Sequence, residues 1–357
     1  MPDEINRILF EMNQYSICAS IPDSLIAIAE KNVGDILTLA IEYTSTQSAT
    51  VVFDKQCDLA IALTEAYRRN LPLANFIEFD SVAPDQVRAT FEQLPPNALV
   101  VLIQSTNFRL DAYRMRIELF KRCLKVIEHP HLSRMPGAES LLYIEALAYD
   151  PNYFRVMGNS LKIRIDQAKV GVIHSAGEQL VFSSGFESAK LNIGDYRNMK
   201  NVGGQFPIGE VFTEAKDLER VNGRVSISIF GDRSFLVNKP VLPITLEIEQ
   251  GRVRHVMNST AAFDQILANI RADEGEIWVR EVGFGLNRAF TQEKIVSDIG
   301  TFERMCGVHL SLGAKHGSYN KANIKKATAK YHVDVIVLTE FVTLDSEIIY
   351  RDGQWVV

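Results

Sequence analysis

The sequence predicts an α/β protein in two parts. Residues 1–155 form an N-terminal α/β domain around a parallel sheet, and residues 156–357 form a β-rich α+β domain that carries a metal site. Three observations lead there. Up to about residue 150, strand-length apolar runs alternate with segments of helical periodicity, which is how a parallel sheet covered by helices reads. Beyond about residue 168 the chain turns to short alternating segments punctuated by Gly and Asn. In that second half, acidic residues and histidines recur on or beside the expected strands.

In order, Leu25–Leu39 is rich in helix formers, Ala49–Phe53 reads as a strand, and Leu59–Arg69 has apolar residues at helical spacing. Asn75–Phe79 is strand-like, Pro84–Leu94 is a helix with its proline in the first turn, and Ala98–Ile103 has the length of a buried strand. Leu110–Val126 is expected to be one long amphipathic helix. No glycine-rich phosphate loop follows any of these strands, so the alternation implies no nucleotide. His129 and His131, in His-Pro-His-Leu, are expected in a surface turn. Residues 136–168 look helical. Lys169–Ile173, Gln179–Ser183, Arg224–Phe230, Ile244–Glu249 and Arg252–Met257 are short strands, with Asn222-Gly223 as a good turn signal, and Ala262–Ala272 is a helix.

Composition narrows the function. A net charge of -6 argues against nucleic-acid binding, which needs a concentrated basic surface. No run approaches the roughly 18 apolar residues of a membrane span, and the opening Met-Pro-Asp-Glu-Ile-Asn is unlike a signal peptide. The four cysteines are far apart, with no C-x-x-C pair, which speaks against a thiolate metal site or a disulfide framework and fits a reducing cytoplasm.

The organising stretch is Tyr331–Leu338. As a strand it points His332 and Asp334 the same way, with Cα atoms roughly 7 Å apart, close enough to reach one ion. Either residue alone reads equally well as part of a hydrogen-bonded core. Four other motifs add candidates. Gly203–Thr213 is a rigid Gly/Pro loop that places Glu210 where a short strand begins. Ile277–Asn287 puts Glu281 at the end of an apolar strand before a Gly-x-Gly turn; a surface Arg280–Glu281 pair is the alternative. Cys306–Gly313 leaves His309 and Ser311 on one face and Val308, Leu310 and Leu312 on the other. Lys315–Lys321 is a polar loop able to close over a site. Each motif is weak alone. Together Glu210, Glu281, His309, His332 and Asp334 make an oxygen-and-imidazole set suited to zinc, cobalt, manganese or magnesium, and large enough for two ions.

In series, Gly-Glu-Val-Phe-Thr at 209–213, Glu-Val-Gly-Phe-Gly-Leu-Asn at 281–287, Val-His-Leu-Ser-Leu-Gly at 308–313 and His-Val-Asp at 332–334 resemble the thermophilic aminopeptidase family of metallopeptidases. The similarity extends back to Gly158–Lys162 and spans roughly residues 155–340. It implies that Glu210, Glu281, His309, His332 and Asp334 are the metal ligands, and that the chain is a homodimer with its site in a cleft between the domains. One position departs: where the family has a site tyrosine, this chain has His316, with Tyr319 slightly further on.

The first functional expectation is therefore a dinuclear metal aminopeptidase acting on peptides, with Glu210 or Glu281 shuttling the proton. In this reading His316 or Lys315 stabilises the oxyanion. The second is a mononuclear iron dioxygenase opening dihydroxypyridine rings, a related class with two histidines and one carboxylate. There the position of Glu281 is a histidine, so glutamate favours the peptidase. The third is a family member that has lost its activity, to which the His316 departure points.

Overall fold

The computed structural model describes residues 21–110, 115–325 and 327–357; the acidic N-terminal stretch lies outside the described residues. Two compact units result: the chain up to Asn152 with Gly194–Ile208, and Tyr153–Ile193 with Gly209–Val357. Among the described residues no helix is long and apolar enough to cross a membrane.

The first unit follows the alternation read from the sequence: α1 (Asp23–Asp35), β1 (Ala49–Phe53), α2 (Asp58–Asn70), β2 (Asn75–Glu78), α3 (Pro84–Gln93), β3 (Leu99–Ile103), α4 (Met115–Lys121), β4 (Lys125–His129) and α5 (Ala138–Ala146). The four strands are parallel in the order β2-β1-β3-β4, and Gly203–Gln205 adds a fifth beside β4. All five residues of β3, Leu-Val-Val-Leu-Ile, are buried, as expected of a central strand covered on both faces. On one face Val52, Val100, Leu102 and Val126 meet Val87 and Phe91 of α3 and Leu119 of α4. Each such fully buried side chain contributes roughly 1.5–3 kcal/mol.

Two expectations fail here. The helix expected over Leu110–Val126 is only Met115–Lys121 among the described residues. Cys123 then takes a left-handed φ of 58°, and Lys125–His129 becomes a strand. Val126 and Ile127 are fully buried beside β3, and that tertiary burial outweighs the helical spacing. His129 is not in a surface turn either. It ends β4 fully buried, with Tyr67 at 2.8 Å on Nε2 and Tyr143 at 2.9 Å on Nδ1. The Tyr143 hydroxyl donates to the Phe206 carbonyl, so it accepts from Nδ1–H; Nε2 then accepts from Tyr67. Burial pushes the imidazole pKa down to about 3, so the ring is neutral.

The second unit begins with α6 (Pro151–Gln167), then β5 (Gly171–Ser175), β6 (Glu178–Phe182) and β7 (Lys190–Asn192); β8 is the Gly203–Gln205 strand already placed in the first sheet. There follow β9 (Glu210–Glu214), β10 (Val221–Gly231), β11 (Val237–Asn238), β12 (Ile244–Glu249), β13 (Arg252–Met257), α7 (Ala261–Glu274) and β14 (Val279–Gly285). The chain ends with α8 (Ile299–Phe302), β15 (Gly307–Leu312), β16 (Val333–Val337), β17 (Thr339–Leu344), β18 (Glu347–Arg351) and β19 (Gln354–Trp355). These strands form one antiparallel sheet whose main path is β19-β18-β17-β5-β6-β10-β16-β15-β14-β9-β7. Ala176 and Gly177, both at positive φ, close the β5–β6 hairpin with the two-residue turn that favours such residues.

Two turn signals were misleading. Asn222-Gly223 lies inside β10, where Gly223 comes so near the Gln179 carbonyl that a side chain would collide. Gly283 and Gly285 do not form a turn after Glu281; β14 runs on through both. In each case glycine serves a close approach of backbone or side chain rather than a reversal.

Candidate metal centre

Four adjacent strands, β16-β15-β14-β9, carry the candidate ligands. Directly opposed residues of an antiparallel pair share a face. Glu210 opposes Gly285, Glu281 opposes Glu214, Gly283 opposes both Phe212 and His309, and Ser311 opposes Asp334. The alternation along each strand then puts Glu210, Glu281, His309 and Asp334 on one face, with His332 just before β16 on the same side. The sequence set of five is thus brought together within one unit.

Glycine makes room for this. The His309 ring lies over Gly283 so closely that a Cβ at residue 283 would collide with the ring. The register between β14 and β15 shifts between Val279 and Val282, a bulge at the segment bearing Arg280 and Glu281. Arg280 does not form the surface pair weighed from the sequence; it donates to Glu214, both buried, at 2.8 Å. It also donates to the carbonyls of Ala314 and Tyr319, tethering the start of the loop that carries His316.

His309 Nε2 stands 3.3 Å from Glu210 Oε1 and 3.4 Å from Glu281 Oε1; His316 Nδ1 is 3.3 Å from Glu281 Oε2. His332 Nε2 is 3.0 Å from Asp334 Oδ1. Donor atoms cluster within 4.8 Å in three groups: Glu210–Glu281–His309, Glu281–His316–His332 and Glu303–His309–Asp334. Glu281 is shared by the first two. His316 therefore takes a ligand-like place, whereas Tyr319, whose ring lies 5.1 Å from that of His316, donates its hydroxyl to the Ser188 carbonyl. Glu303 was missed: it follows α8 in Phe302-Glu303-Arg304, and nothing in that spacing separates it from a surface ion pair.

A cation fits this arrangement. His332 Nδ1 lies 3.1 Å from the Lys315 carbonyl, which only accepts, so Nδ1 carries a proton. Nε2 faces Asp334 Oδ1 at 3.0 Å, a contact that either a second ring proton or a bound cation satisfies. His309 Nδ1 and His316 Nε2 are buried without a hydrogen-bond partner among the described residues. Buried polar atoms of this kind are costly unless paired.

The titration pattern says the same. Burial works against charge on His332, yet Asp334 beside it carries its pKa up to about 10. Burial also opposes charge on His309, but Glu210 and Glu281 hold its pKa well above the ordinary histidine value. Asp334 pays for burial too, but His332 draws it down to about 2. Burial raises Glu281, reinforced by Glu210, and raises Glu303 strongly. His316 falls to about 3 through burial, with His332 and Arg280 adding to it. The carboxylates are thus offset by protons and by protonated imidazoles.

No protein-family model matches the chain, and no curated protein sequence matches it. Among solved structures it is similar to wild-type AmpT from Thermus thermophilus, with 14% identity, a TM-score of 0.51, and coverage of 93% of this chain and 99% of that one. The two share a fold.

Proposed function

We propose that this chain is a metal-dependent aminopeptidase that releases N-terminal residues from peptides at a dinuclear site. The observation that carries the reading is the meeting of Glu210, Glu281, His309, His332 and Asp334 on one sheet face with buried polar atoms left unpaired. The chain shares its fold with AmpT from Thermus thermophilus. In this reading Glu210, Glu281 and His309 would hold one ion and Glu281, His316 and His332 the other, which adds His316 to the five ligands expected from the sequence and leaves Asp334 beside His332 and in the third donor group with Glu303 and His309. Zinc, cobalt, manganese and magnesium all suit such donors. Bound there, divalent ions supply polarisation of a carbonyl and a lower pKa for water. Glu210 or Glu281 takes the proton from the attacking water and returns it to the leaving amine. Arg280, through Ala314 and Tyr319, keeps His316 over the site. The homodimer that the resemblance implies and the cytoplasmic location that the cysteine spacing suggests belong to the same proposal. In metal-loaded protein, Glu281→Ala or His332→Ala should abolish release of leucine from leucine p-nitroanilide; unchanged hydrolysis would remove the mechanism.

A second reading is favoured by one observation. Glu281, His316 and His332 are two imidazoles and one carboxylate, the donor set of non-haem iron oxygenases. Oxygen uptake by iron-loaded protein with a dihydroxypyridine would support it, and no uptake would exclude it. The third, a chain that keeps the fold without the activity, requires less than one tightly held ion per chain.

A further inference from the structure

Beside the imidazoles of His316 and His332 lies a pocket of about 420 Å³ within the second unit. Its size is at the low end of small-ligand sites, which run from about 300 to 1,000 Å³. Phe235, Ile266 and Val333 give it apolar walls, and Phe235 is 54% exposed there. Its charged lining is mainly cationic: Arg233, Lys315 and Lys330 against the single carboxylate of Asp232.

These charges are not equivalent. Asp232 is spent on its own turn, accepting from Ser234 N at 2.7 Å, Leu236 N at 3.0 Å and Asn238 Nδ2 at 3.3 Å. Lys330 lies 3.3 Å from Asp273. Arg233 and Lys315, both exposed, enter no ion pair within 4 Å among the described residues, although Arg233 adds to the positive field on Asp273. Lys315 is also fixed in place: its N–H donates to the Tyr331 carbonyl at 2.9 Å, and its own carbonyl accepts from His332 Nδ1. The pocket therefore joins the imidazoles of His316 and His332 to apolar walls and to the exposed cations Arg233 and Lys315. A short peptide that carries a carboxylate complements that charge, which attracts such a ligand and helps to orient it.

We propose that this pocket seats a substrate carboxylate, so that the site acts on short peptides that present an anionic group to Arg233 and Lys315. The proposal rests on the aminopeptidase reading above. The carboxylate has two sources: the free C-terminus of a dipeptide, or an acidic side chain just past the scissile bond. A guanidinium suits either, because its planar fork matches a carboxylate.

The test uses the full metal-loaded chain and measures kcat/KM for five substrates. Leucine p-nitroanilide has no carboxylate and reports the peptidase chemistry alone. Leu-Leu should exceed Leu-Leu-NH2 by about tenfold or more if the C-terminus is read, and Leu-Glu-NH2 should exceed Leu-Gln-NH2 similarly if a side chain is read. Either preference should reside mainly in KM. Arg233→Ala should bring the ratio close to one while leaving leucine p-nitroanilide turnover unchanged. If leucine p-nitroanilide is cleaved but both ratios are near one in the wild type, the pocket assignment is overturned and the peptidase stands. If nothing is cleaved, the peptidase reading falls by itself. Dissociation constants for the same peptides, from calorimetry, then decide the pocket: a carboxylate preference lost in Arg233→Ala upholds it, and equal binding overturns it.

Discussion

Gly283 and Glu303 decide whether the ligand cluster has its shape. Because the His309 imidazole occupies the space a Cβ would take at residue 283, Gly283→Ala should displace the ring. Metal affinity should fall by about tenfold or more, the scale seen when outer partners of a site are lost. Dialysis against a metal buffer with elemental analysis measures this, and far-ultraviolet circular dichroism checks that the sheet persists; unchanged affinity would contradict the packing argument. Glu303 groups with His309 and Asp334, and its Oε1 accepts from Arg304 at 2.6 Å. Glu303→Gln keeps the shape and removes the charge, and roughly tenfold weaker metal binding is expected. His129 carries a different prediction. Its pKa is about 3 in the folded chain and near 6.5 in the unfolded one, so the unfolded state binds the extra proton. The stability that depends on the neutral ring is whole above about pH 6.5 and is lost as pH falls toward 3. Replacing His129 by Gln should make the fall in unfolding midpoint between pH 6.5 and 4 shallower, and parallel curves would contradict it. At this scale the sequence was partly legible. His332 and Asp334 could be paired from a two-residue spacing. Glu303 could not, since a carboxylate next to an arginine looks the same buried or exposed.

The strands β9, β14, β15 and β16 supply geometry that no single motif contains. Strand alternation placed His309 opposite in sense to Val308 and Leu310, and the observed register agrees. The bulge that re-aims Arg280 and Glu281 was not legible, because it depends on how β15 pairs with β14. The same is true of β4. Its Lys-Val-Ile-Glu-His continues a helical spacing locally, and only the neighbouring β3 makes it a strand. Glycine was the most misleading residue: Gly223 and Gly283 were read as turns, yet both relieve close contacts inside strands. At this scale the buried pair Glu214–Arg280 is the element to test. Arg280→Met leaves buried Glu214 with Lys321 at 3.4 Å as its remaining cation, and breaking a buried pair costs up to about 3–5 kcal/mol. The unfolding midpoint in denaturant should drop accordingly, and the His316 loop should lose its tether. A change of only a few tenths of a kcal/mol would show the pair to be less important than its burial implies.

Across the whole molecule, both the parallel alternation of the first unit and the β-rich character of the second were readable, because each rests on periodicity that a packed layer enforces. The return of Gly194–Ile208 to the first unit was not, since it depends on an edge strand of three residues. Four clustered carboxylates, Glu210, Glu281, Glu303 and Asp334, must be offset by protons or ions for the second unit to hold its sheet face together. Ions that bind only the folded chain add stability by mass action, about 2.7 kcal/mol at a hundredfold excess over the dissociation constant. The direct measurement is anomalous scattering from crystals grown with zinc or manganese. The account predicts strong peaks among Glu210, Glu281, His309, His316 and His332, two per chain. Crystals saturated with metal that show no peak beside these residues would contradict it.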